Sequence, residues 1–405
     1  MGERPLDEVR AVLELSPEER ERRGLTPADV RDALLETVER GDREAKVIED
    51  CSLPAIALDH RTVESANTHP VVFRDCAFTG GFSAVQTDFQ VPLHLEGCTV
   101  AGLDIEGARF EYDLAIRDAE VTGAVEGFEA RFEGDLDATG SSFHASVVMD
   151  EADFGDDASF DGATFEAAAS FRAATFTGTS NALDDNASFD GAVFEGTATF
   201  RQAGFEFASF AGVTFADPAE FEEVRFEGDA TFADCAFRDE ADFDEARFEE
   251  DVTFADGTFD GAAIFRGATF EGGARSLQDD ARFADATFRD DATFRDAAFR
   301  SVNFERAAFD ARAMFEEARF DADADFGASR FAAEADFDEV RFDGDADFSG
   351  ARFERAAVFR GLPSRARPAT SSRTPSSRTC TSRTRSTSTT RPSPRRTSGG
   401  RASAA

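Results

Sequence analysis

Four histidines are the first residues to consider for acid–base or metal chemistry. They are His60, His69, His94 and His144. Zinc ligands recur a few residues apart, and a nucleophile triad needs a serine or cysteine with a histidine and an acid that serve it. The histidines are scattered and fit neither pattern. The sequence therefore predicts surface histidines and no catalytic residue.

Paired aspartates, Asp156-Asp157 and Asp279-Asp280, could bind a cation through their oxygen atoms. They lack the regular Asp-Gly spacing of calcium-binding solenoids, so we expect solvated corner residues. Asn186-Ala-Ser188 is a formal glycosylation sequon that matters only after export. The glycines follow the repeat described below and form no phosphate-binding loop. The chain is therefore predicted to be no enzyme and to have no cofactor-binding or metal-binding residues.

The cysteines lack the paired spacing of a zinc site. They are Cys51, Cys76, Cys98, Cys235 and Cys380. Cys76 and Cys98 lie 22 residues apart, and Cys235 stands at the same place in its repeat. We expect these three to be buried small residues that replace alanine.

Phenylalanine recurs at alternating steps of five and six residues from Phe154 to Phe359. In Ala158-Ser-Phe-Asp-Gly-Ala-Thr-Phe165, each alanine stands two places before a phenylalanine, so both point to one side of an extended segment. The residues after each phenylalanine suit a turn. Four such units make a coil of 22 residues. The repeat therefore predicts an all-β solenoid of about 13 coils, roughly 60 Å long at the spacing of β-strands.

A longer repeat contains the short one, because every phenylalanine from 154 to 265 except Phe207 has another 94 positions later. Two insertions interrupt the rhythm, and we place them at 177–188 and 271–282. Because the two insertions are 94 residues apart, about four coils of 22 residues, we expect them at the same corner, four coils apart. We interpret residues 46–361 as one solenoid domain with an internal duplication.

Residues 1–45 are predicted to form a helical N-terminal cap. Ser16-Pro-Glu-Glu19 has the pattern of a capping box, and Thr26-Pro27 begins a further helix that Gly41 ends. An amphipathic helix before a solenoid would cover the unpaired edge of the first coil.

The net charge of −39 excludes most partners that are themselves acidic. Direct binding to nucleic acid or to an anionic membrane is not expected. Lys46 is the one lysine among 43 basic residues, and this arginine-rich acidic composition predicts a halophilic, haloarchaeal protein. No segment has the length and apolarity of a membrane span or a signal core, which predicts a cytoplasmic protein.

Residues 362–405 differ in composition, with ten arginines and no acids, and are predicted to be a disordered Ser/Arg/Thr-rich tail. If the 94-residue repeat continued through this segment, eight positions would hold an apolar residue, and each of these positions holds serine. They are Ser364, Ser371, Ser377, Ser382, Ser388, Ser393, Ser398 and Ser403. Phenylalanine codons shifted by one base encode serine, so we interpret the tail as a frameshifted repeat.

The Ala-x-Phe units resemble the pentapeptide-repeat family, as in Ala230-Thr-Phe-Ala-Asp and Ala292-Thr-Phe-Arg-Asp. The resemblance covers about 46–361, with one extra residue in every second unit. It implies a right-handed, four-sided β-helix with phenylalanine at the centre of each face, and no catalytic residues. Some members imitate DNA and bind type II topoisomerases, and others extend membrane or signalling proteins.

Three functions follow as hypotheses. The first is a non-enzymatic structural or protein-interaction scaffold with acidic faces and an unknown protein partner. The alternatives are a DNA mimic that binds a type II topoisomerase, and a truncated extension of a larger protein such as a membrane channel. An open solenoid end would also allow a homodimer.

Overall fold

The structure is a computed structural model and describes residues 4–178, 186–273 and 280–360. The chain winds into a parallel β-solenoid of about 14 coils with four sheets, so the predicted four-sided fold is confirmed. Each strand pairs with the strand four places later in sequence, one coil further on. The prediction was about 13 coils, and the first of the coils observed is irregular in sequence, with Ile48, Leu53, Ile56 and Val63 buried.

Three helices precede the solenoid: α1 (Leu6–Arg10), α2 (Pro17–Arg23) and α3 (Pro27–Arg40). The strands are short, and we number the sheets I to IV in chain order. Sheet I contains β1 (Val47–Glu49), β5 (Val71–Arg74), β9 (Leu93–Glu96), β13 (Leu114–Arg117), β17 (Leu136–Asp137), β21 (Ala158–Ser159), β25 (Ala187–Ser188), β29 (Ala208–Ser209), β33 (Ala230–Thr231), β37 (Val252–Thr253), β41 (Ala281–Arg282), β45 (Val302–Asn303), β49 (Ala324–Asp325) and β53 (Ala346–Asp347).

Sheet II contains β2 (Ser52–Leu53), β6 (Ala77–Phe78), β10 (Thr99–Val100), β14 (Glu120–Val121), β18 (Ser142–Phe143), β22 (Thr164–Phe165), β26 (Val193–Phe194), β30 (Thr214–Phe215), β34 (Ala236–Phe237), β38 (Thr258–Phe259), β42 (Thr287–Phe288), β46 (Ala308–Phe309), β50 (Arg330–Phe331) and β54 (Arg352–Phe353). Sheet III contains β3 (Ile56–Ala57), β7 (Phe82–Ser83), β11 (Leu103–Asp104), β15 (Val125–Glu126), β19 (Val147–Val148), β23 (Ala169–Ser170), β27 (Ala198–Thr199), β31 (Ala219–Glu220), β35 (Ala241–Asp242), β39 (Ala263–Ile264), β43 (Ala292–Thr293), β47 (Ala313–Met314), β51 (Ala335–Asp336) and β55 (Ala357–Val358).

Sheet IV contains β4 (Thr62–Val63), β8 (Asp88–Phe89), β12 (Arg109–Phe110), β16 (Arg131–Phe132), β20 (Asp153–Phe154), β24 (Thr175–Phe176), β28 (Gly204–Phe205), β32 (Arg225–Phe226), β36 (Arg247–Phe248), β40 (Thr269–Phe270), β44 (Ala298–Phe299), β48 (Arg319–Phe320) and β52 (Arg341–Phe342). In the regular coils an alanine and a phenylalanine of each unit are buried, and the residue between them faces outward.

Two kinds of corner explain the alternation of five and six residues. Units on sheets I and III have five residues and end in a left-handed residue, such as Glu129 (φ 55°), Gly162 (φ 62°) or Glu245 (φ 55°). From Gly107 to Gly350, every described left-handed residue except Gly272 ends such a unit. A left-handed residue turns the chain sharply, at a cost of about 1 kcal/mol where it is not glycine. Most units on sheets II and IV turn with one residue more, and the cross-section stays four-sided; two sheet IV units, 203–207 and 297–301, have five residues.

Phenylalanine rings stack in columns along the core. On sheet I, from Phe160 to Phe348, consecutive ring centroids lie 4.7–5.1 Å apart and the planes are within 12° of parallel. Rings of neighbouring columns meet edge to face, as Phe221 and Phe232 do at 5.4 Å and 88°. Both geometries suit the aromatic quadrupole, so one residue type satisfies every interior position.

The helices lie over the first coil, where their arginines bind edge carbonyl groups. Arg10 Nη2 donates to the Val47 carbonyl at 2.9 Å, and Arg20 Nη1 donates to the Ser52 carbonyl. These bonds satisfy backbone carbonyl groups of the first coil. In α2, Ser16 Oγ accepts from Glu19 N at 3.2 Å, but the Glu19 carboxylate pairs with arginines of its own helix. Only half of the predicted capping box therefore forms.

Gly41 ends α3 for a different reason from the one predicted. Its backbone is extended (φ −71°), so no left-handed conformation requires glycine. A Cβ at this position would lie 2.4 Å from the Thr37 carbonyl oxygen, so close approach of the backbone excludes any side chain. The full capping box lies at the other end of α3, where Thr26 N donates to Asp29 Oδ2 at 2.7 Å.

Both insertions lie between sheet IV and sheet I, four coils apart. The predicted bounds are too wide, because Ala187–Ser188 and Ala281–Arg282 are strands that pair with their neighbours. The extra residues therefore lie within 177–186 and 271–280, and only their ends are described. Residues 362–405, with their predicted disorder and frameshift, lie outside the described part of the chain.

Candidate interaction surfaces

The outward residues of the units differ from sheet to sheet. On sheet II, the central outward positions of seven successive coils are uncharged. They are Thr164, Val193, Thr214, Ala236, Thr258, Thr287 and Ala308. This face is therefore flat and close to neutral, and its charges lie at the corners. An interaction that depends on charge must use the other sheets.

Sheet III carries the densest group of carboxylates on two adjacent coils. Glu220 pairs in register with Asp242, and the corner residues that follow each strand are acidic as well. We define the acidic patch as Glu220, Glu222, Glu223, Asp242, Asp244 and Glu245. Because neighbouring coils of a sheet lie about 4.8 Å apart, these six side chains occupy one small area of the surface.

Burial and mutual repulsion shift the titration of the acidic patch. Asp242 is half-buried, and burial, followed by the repulsion of Glu222, Asp244 and Glu240, raises its pKa to about 6. Burial also raises the pKa of Glu222, although Arg201 opposes that shift. A cation brought by a partner would therefore stabilise the charged form of both carboxylates.

Arginines bound the acidic patch on the coils before and after it. Arg201 binds Glu222 at 2.8 Å, and Arg266 Nε donates to Asp244 Oδ1 at 3.0 Å. The duplication repeats this arrangement, with Arg295 bound to Glu316 and Arg360 lying 3.6 Å from Asp338. Met314 replaces Glu220 in the second copy, so the copy between Arg201 and Arg266 is the more acidic.

Sheet IV differs because arginines stand in pairs at its outward positions. Arg109 pairs in register with Arg131, Arg225 with Arg247, and Arg319 with Arg341. They bind carboxylates of adjacent coils, as Arg225 Nε does with Glu249 at 2.7 Å. Such exposed pairs contribute little stability one by one. Their position divides the acidic residues of this face into segments.

The corner between sheets IV and I brings Asp135, Asp156 and Asp157 together. Each places a carboxylate oxygen within 4.8 Å of the others. Asp113 lies one coil earlier, and its Oδ1 accepts from Asp135 N at 3.4 Å. Burial and the three neighbouring aspartates raise the pKa of Asp135. A groove of about 140 Å³ lies alongside and is lined by Asp113, Asp135, Asp157, Arg117, Asp137 and Ser159 among others.

The other predicted pair, Asp279-Asp280, is described only in part. Asp279 lies outside the described residues, and the carboxylate of Asp280 accepts from Ser301 N at 2.9 Å and from Ser301 Oγ at 2.5 Å. Asp280 is nearly buried, so it is not the solvated corner residue predicted. The sequon residue Asn186 is buried as well, at 1% exposure, and is closed to glycosylation in the folded chain.

The four histidines stand apart from one another. His60 is an exposed corner residue, and the carbonyl of His69 accepts from Lys46. Burial, then the charge of Arg117, lowers the pKa of His94. His144 Nδ1 lies 2.8 Å from Glu166 Oε1, which raises the pKa of the histidine. Cys76, Cys98 and Cys235 are buried as predicted, and Cys51 joins the column of Cys76 and Cys98.

Lys46 is a polar centre that the sequence did not reveal. Its side chain is fully buried beneath the cap, and Nζ donates to Ser65 Oγ at 2.7 Å, Asn67 Oδ1 at 2.8 Å and the His69 carbonyl at 2.9 Å. Burial lowers the pKa of Lys46. This site is enclosed and holds the junction together, so it is not a surface for partners.

In the described part of the chain, a small apolar cavity lies between α3 and the first coils. It measures about 20 Å³ and is lined by Leu34, Leu35, Val38, Phe73 and other apolar residues. This volume suits a single water, and apolar walls leave such a cavity dry. Among the described helices, none has the length and apolarity that a membrane crossing needs.

Comparison with known families gives one match. A family model described as "Pentapeptide repeats (9 copies)" matches residues 128–180, 182–225, 210–258, 232–275, 276–319 and 315–362. These ranges cover more than half of the chain. No curated protein matches it.

Proposed function

Because the chain belongs to the pentapeptide-repeat family, we propose that it is a non-enzymatic protein-interaction scaffold that binds a basic partner on its acidic faces. The observation that carries this proposal is the acidic patch on sheet III. Six carboxylates on two coils share one flat area, and the pKa of Asp242 is raised to about 6. A basic side chain of a partner relieves this repulsion, so binding stabilises both molecules.

The shape of the solenoid supports a scaffold rather than an enzyme. Enzyme sites are concave and mostly apolar, with a few convergent polar groups. The described faces are flat arrays of short side chains, and the described cavities are an apolar void beneath the cap and a shallow acidic groove. Repeats of this kind offer extended surfaces to partners.

A labelled oligo-arginine peptide is a suitable probe for the acidic patch. The variant E220Q/E223Q/D242N/E245Q removes four charges and keeps the carboxylates that pair with Arg201 and Arg266. The control E195Q/D217N/D234N/D256N also removes four charges, at exposed positions on sheets I and II. We expect the patch variant to bind about tenfold more weakly and the control to bind within about twofold of the original chain. Equal losses in both variants would contradict the proposal.

A DNA mimic that occupies a type II topoisomerase is a second candidate. One observation favours it: aspartates stack coil upon coil at the corner between sheets IV and I, as Asp113, Asp135 and Asp157 do. The arginine pairs on sheet IV weigh against it, because they interrupt the acid along that face. The test is gyrase supercoiling at high salt, and no inhibition at micromolar protein would exclude this function. The third hypothesis, a truncated extension, depends on residues outside the described part.

An end-to-end homodimer is a further proposal. The final described coil leaves Phe353 and Phe359 half-buried, together with Ala346 and Ala357. Pairing of two such ends would bury these rings and the backbone edge. Sedimentation equilibrium tests this: a Phe353→Asp variant should shift a dimer to monomer, and an unchanged mass would contradict it. A cytoplasmic location and a haloarchaeal source also stay predictions, and cell fractionation of the source organism tests the location.

A further inference from the structure

We propose that sheet III binds an amphipathic helix of a partner protein that carries basic residues at both ends and apolar residues between them. This inference rests on the proposed function and specifies its basic partner. It depends on an apolar strip, which we define as Ile264, Thr293 and Met314, the outward residues of three successive coils. Carboxylates lie at both ends of this strip.

The apolar strip differs from the rest of the described surface. From Arg131 onward, most outward positions of the described strands hold hydroxyl, acidic or arginine side chains. Ile264 and Met314 are larger apolar residues, both partly exposed, and each pairs in register with Thr293. The Thr293 hydroxyl oxygen is buried and has no hydrogen-bond partner, so it adds no exposed polar atom between them. A partner that covers these side chains removes apolar surface from water, which favours binding.

The duplication places carboxylates at both ends of the apolar strip. The acidic patch adjoins one end, where Asp242 pairs in register with Ile264, and Asp336 pairs with Met314 at the other end. Asp242 and Asp336 are four coils apart, a distance of about 19 Å. We define the second acidic patch as the five carboxylates that stand 94 residues after members of the first, namely Glu316, Glu317, Asp336, Asp338 and Glu339.

Two arginines beside the apolar strip disfavour a partner that is basic throughout. Arg266 Nε donates to Asp244 Oδ1 at 3.0 Å on the coil before, and Arg295 pairs with Glu316 on the coil after. A uniformly basic segment laid along sheet III would bring its middle cations close to these arginines. A segment with an apolar middle avoids that repulsion and keeps the attraction at both ends.

The spacing along the solenoid fits an α-helix laid parallel to its axis. One helical turn rises about 5.4 Å and neighbouring coils lie about 4.8 Å apart, so successive turns meet successive coils over this short distance. Ile264 and Met314 are two coils apart, about 10 Å, which matches helical residues about seven positions apart. The two basic ends would be about 13 residues apart, because that length of helix spans about 19 Å.

Two labelled peptides test this fit by fluorescence anisotropy with the full-length chain. The leucine peptide is a helix of about 20 residues with arginines in its first and last turns and two leucines between them, spaced to match Ile264 and Met314. The glutamine peptide replaces both leucines by glutamine, which keeps the charge and has a similar helix propensity. We expect the leucine peptide to bind about tenfold more tightly. Equal affinities of the two peptides would overturn the proposal.

Variants of the apolar strip separate it from the charges around it. I264T/M314T introduces threonine, a common residue at the outward positions, so folding is not at risk. It should weaken binding of the leucine peptide about fivefold or more and leave the glutamine peptide unchanged. The control V148T/V193T removes two outward valines outside the strip and should change neither affinity. Equal effects of the two double variants on the leucine peptide would contradict docking on the strip.

The second acidic patch provides the test of the two-ended partner. E317Q/D336N/E339Q keeps the carboxylates that pair with Arg295 and Arg360. It should weaken the leucine peptide about fivefold, because one basic end loses its partner, and an unchanged affinity would overturn the two-ended arrangement. The proposed function fails separately, if neither peptide loses affinity when the first acidic patch is neutralised by E220Q/E223Q/D242N/E245Q.

Discussion

Replacing Phe243 by alanine tests the stacked core most sharply. The ring is fully buried, stacks on Phe221 at 4.7 Å and on Phe265 at 4.9 Å, and meets Phe232 and Phe254 edge to face. Truncation of a buried phenylalanine costs about 3–5 kcal/mol, and each lost aromatic pair adds about 0.5–1.5 kcal/mol. We expect a cost near the upper end, about 5 kcal/mol.

Phe353→Ala is the matched control at the end of the column on sheet II. This ring is half-buried and has one stacked neighbour, Phe331 at 4.7 Å. It can therefore lose only part of the burial and one stack, and we expect about 2 kcal/mol. The difference between the two costs reflects burial together with the number of stacked neighbours, since the residue type is the same.

Hydrogen exchange with mass spectrometry resolves the effect along the chain. A solenoid is stabilised by neighbouring coils, so Phe243→Ala should lower protection in the coils around it and spare the first coils. Denaturant unfolding followed by circular dichroism gives the total cost. Equal costs for the two variants, or a uniform loss of protection along the whole chain, would refute the stacked-column account.

Three further predictions concern charge. Lys46→Met removes the donor of the hydrogen bonds to Ser65 Oγ, Asn67 Oδ1 and the His69 carbonyl, and should cost about 3 kcal/mol in denaturant unfolding. Exposed Arg43→Met should cost almost nothing, and equal costs would contradict the role of Lys46. The fold raises the pKa of Asp242 to about 6, above its unfolded value, so the charged form destabilises the fold fully above pH 6 and not below about pH 4. Asp242→Asn should therefore raise the melting temperature at pH 8 and not at pH 4. A higher melting temperature at both pH values would argue against the pKa shift. Residues 1–361 carry a formal charge of −49. Raising KCl from about 0.1 M to about 1 M shortens the Debye length from about 10 to about 3 Å and should therefore raise the melting temperature. An uncharged osmolyte producing the same rise would exclude screening as the cause.

The periodicity of phenylalanine predicted most of the fold, because one side chain must fill the same place in every coil. The same periodicity could not show how the chain turns. Glu129 and Glu245 adopt left-handed conformations without the glycine that would signal them. Only the structure shows that the units on sheets I and III end in such a residue. The bounds of the insertions were wrong for a related reason, since Ala187–Ser188 and Ala281–Arg282 look like loop until their strand partners are known.

The surface sites were missed because their residues are neighbours between coils and distant in sequence. Glu220-Phe-Glu-Glu223 and Asp242-Phe-Asp-Glu245 lie 22 residues apart, and their spacing is a signal once the chain is written coil by coil. Asp135 and Asp157 have the same separation. Lys46 gave no such signal, since its partners, among them Ser65 and Asn67, lie in an irregular segment of the first coil that follows no period.

Proton release on binding is the most direct test of the proposed function. Calorimetry of the oligo-arginine peptide with the full-length chain would be performed at pH 6 in two buffers of different ionisation enthalpy. Arginine does not titrate there, so any exchanged proton comes from the protein. The account predicts that protons are released at pH 6 and not at pH 8, and that Asp242→Asn removes most of the release. Binding without buffer dependence at pH 6, or an unchanged release in Asp242→Asn, would contradict binding at the acidic patch.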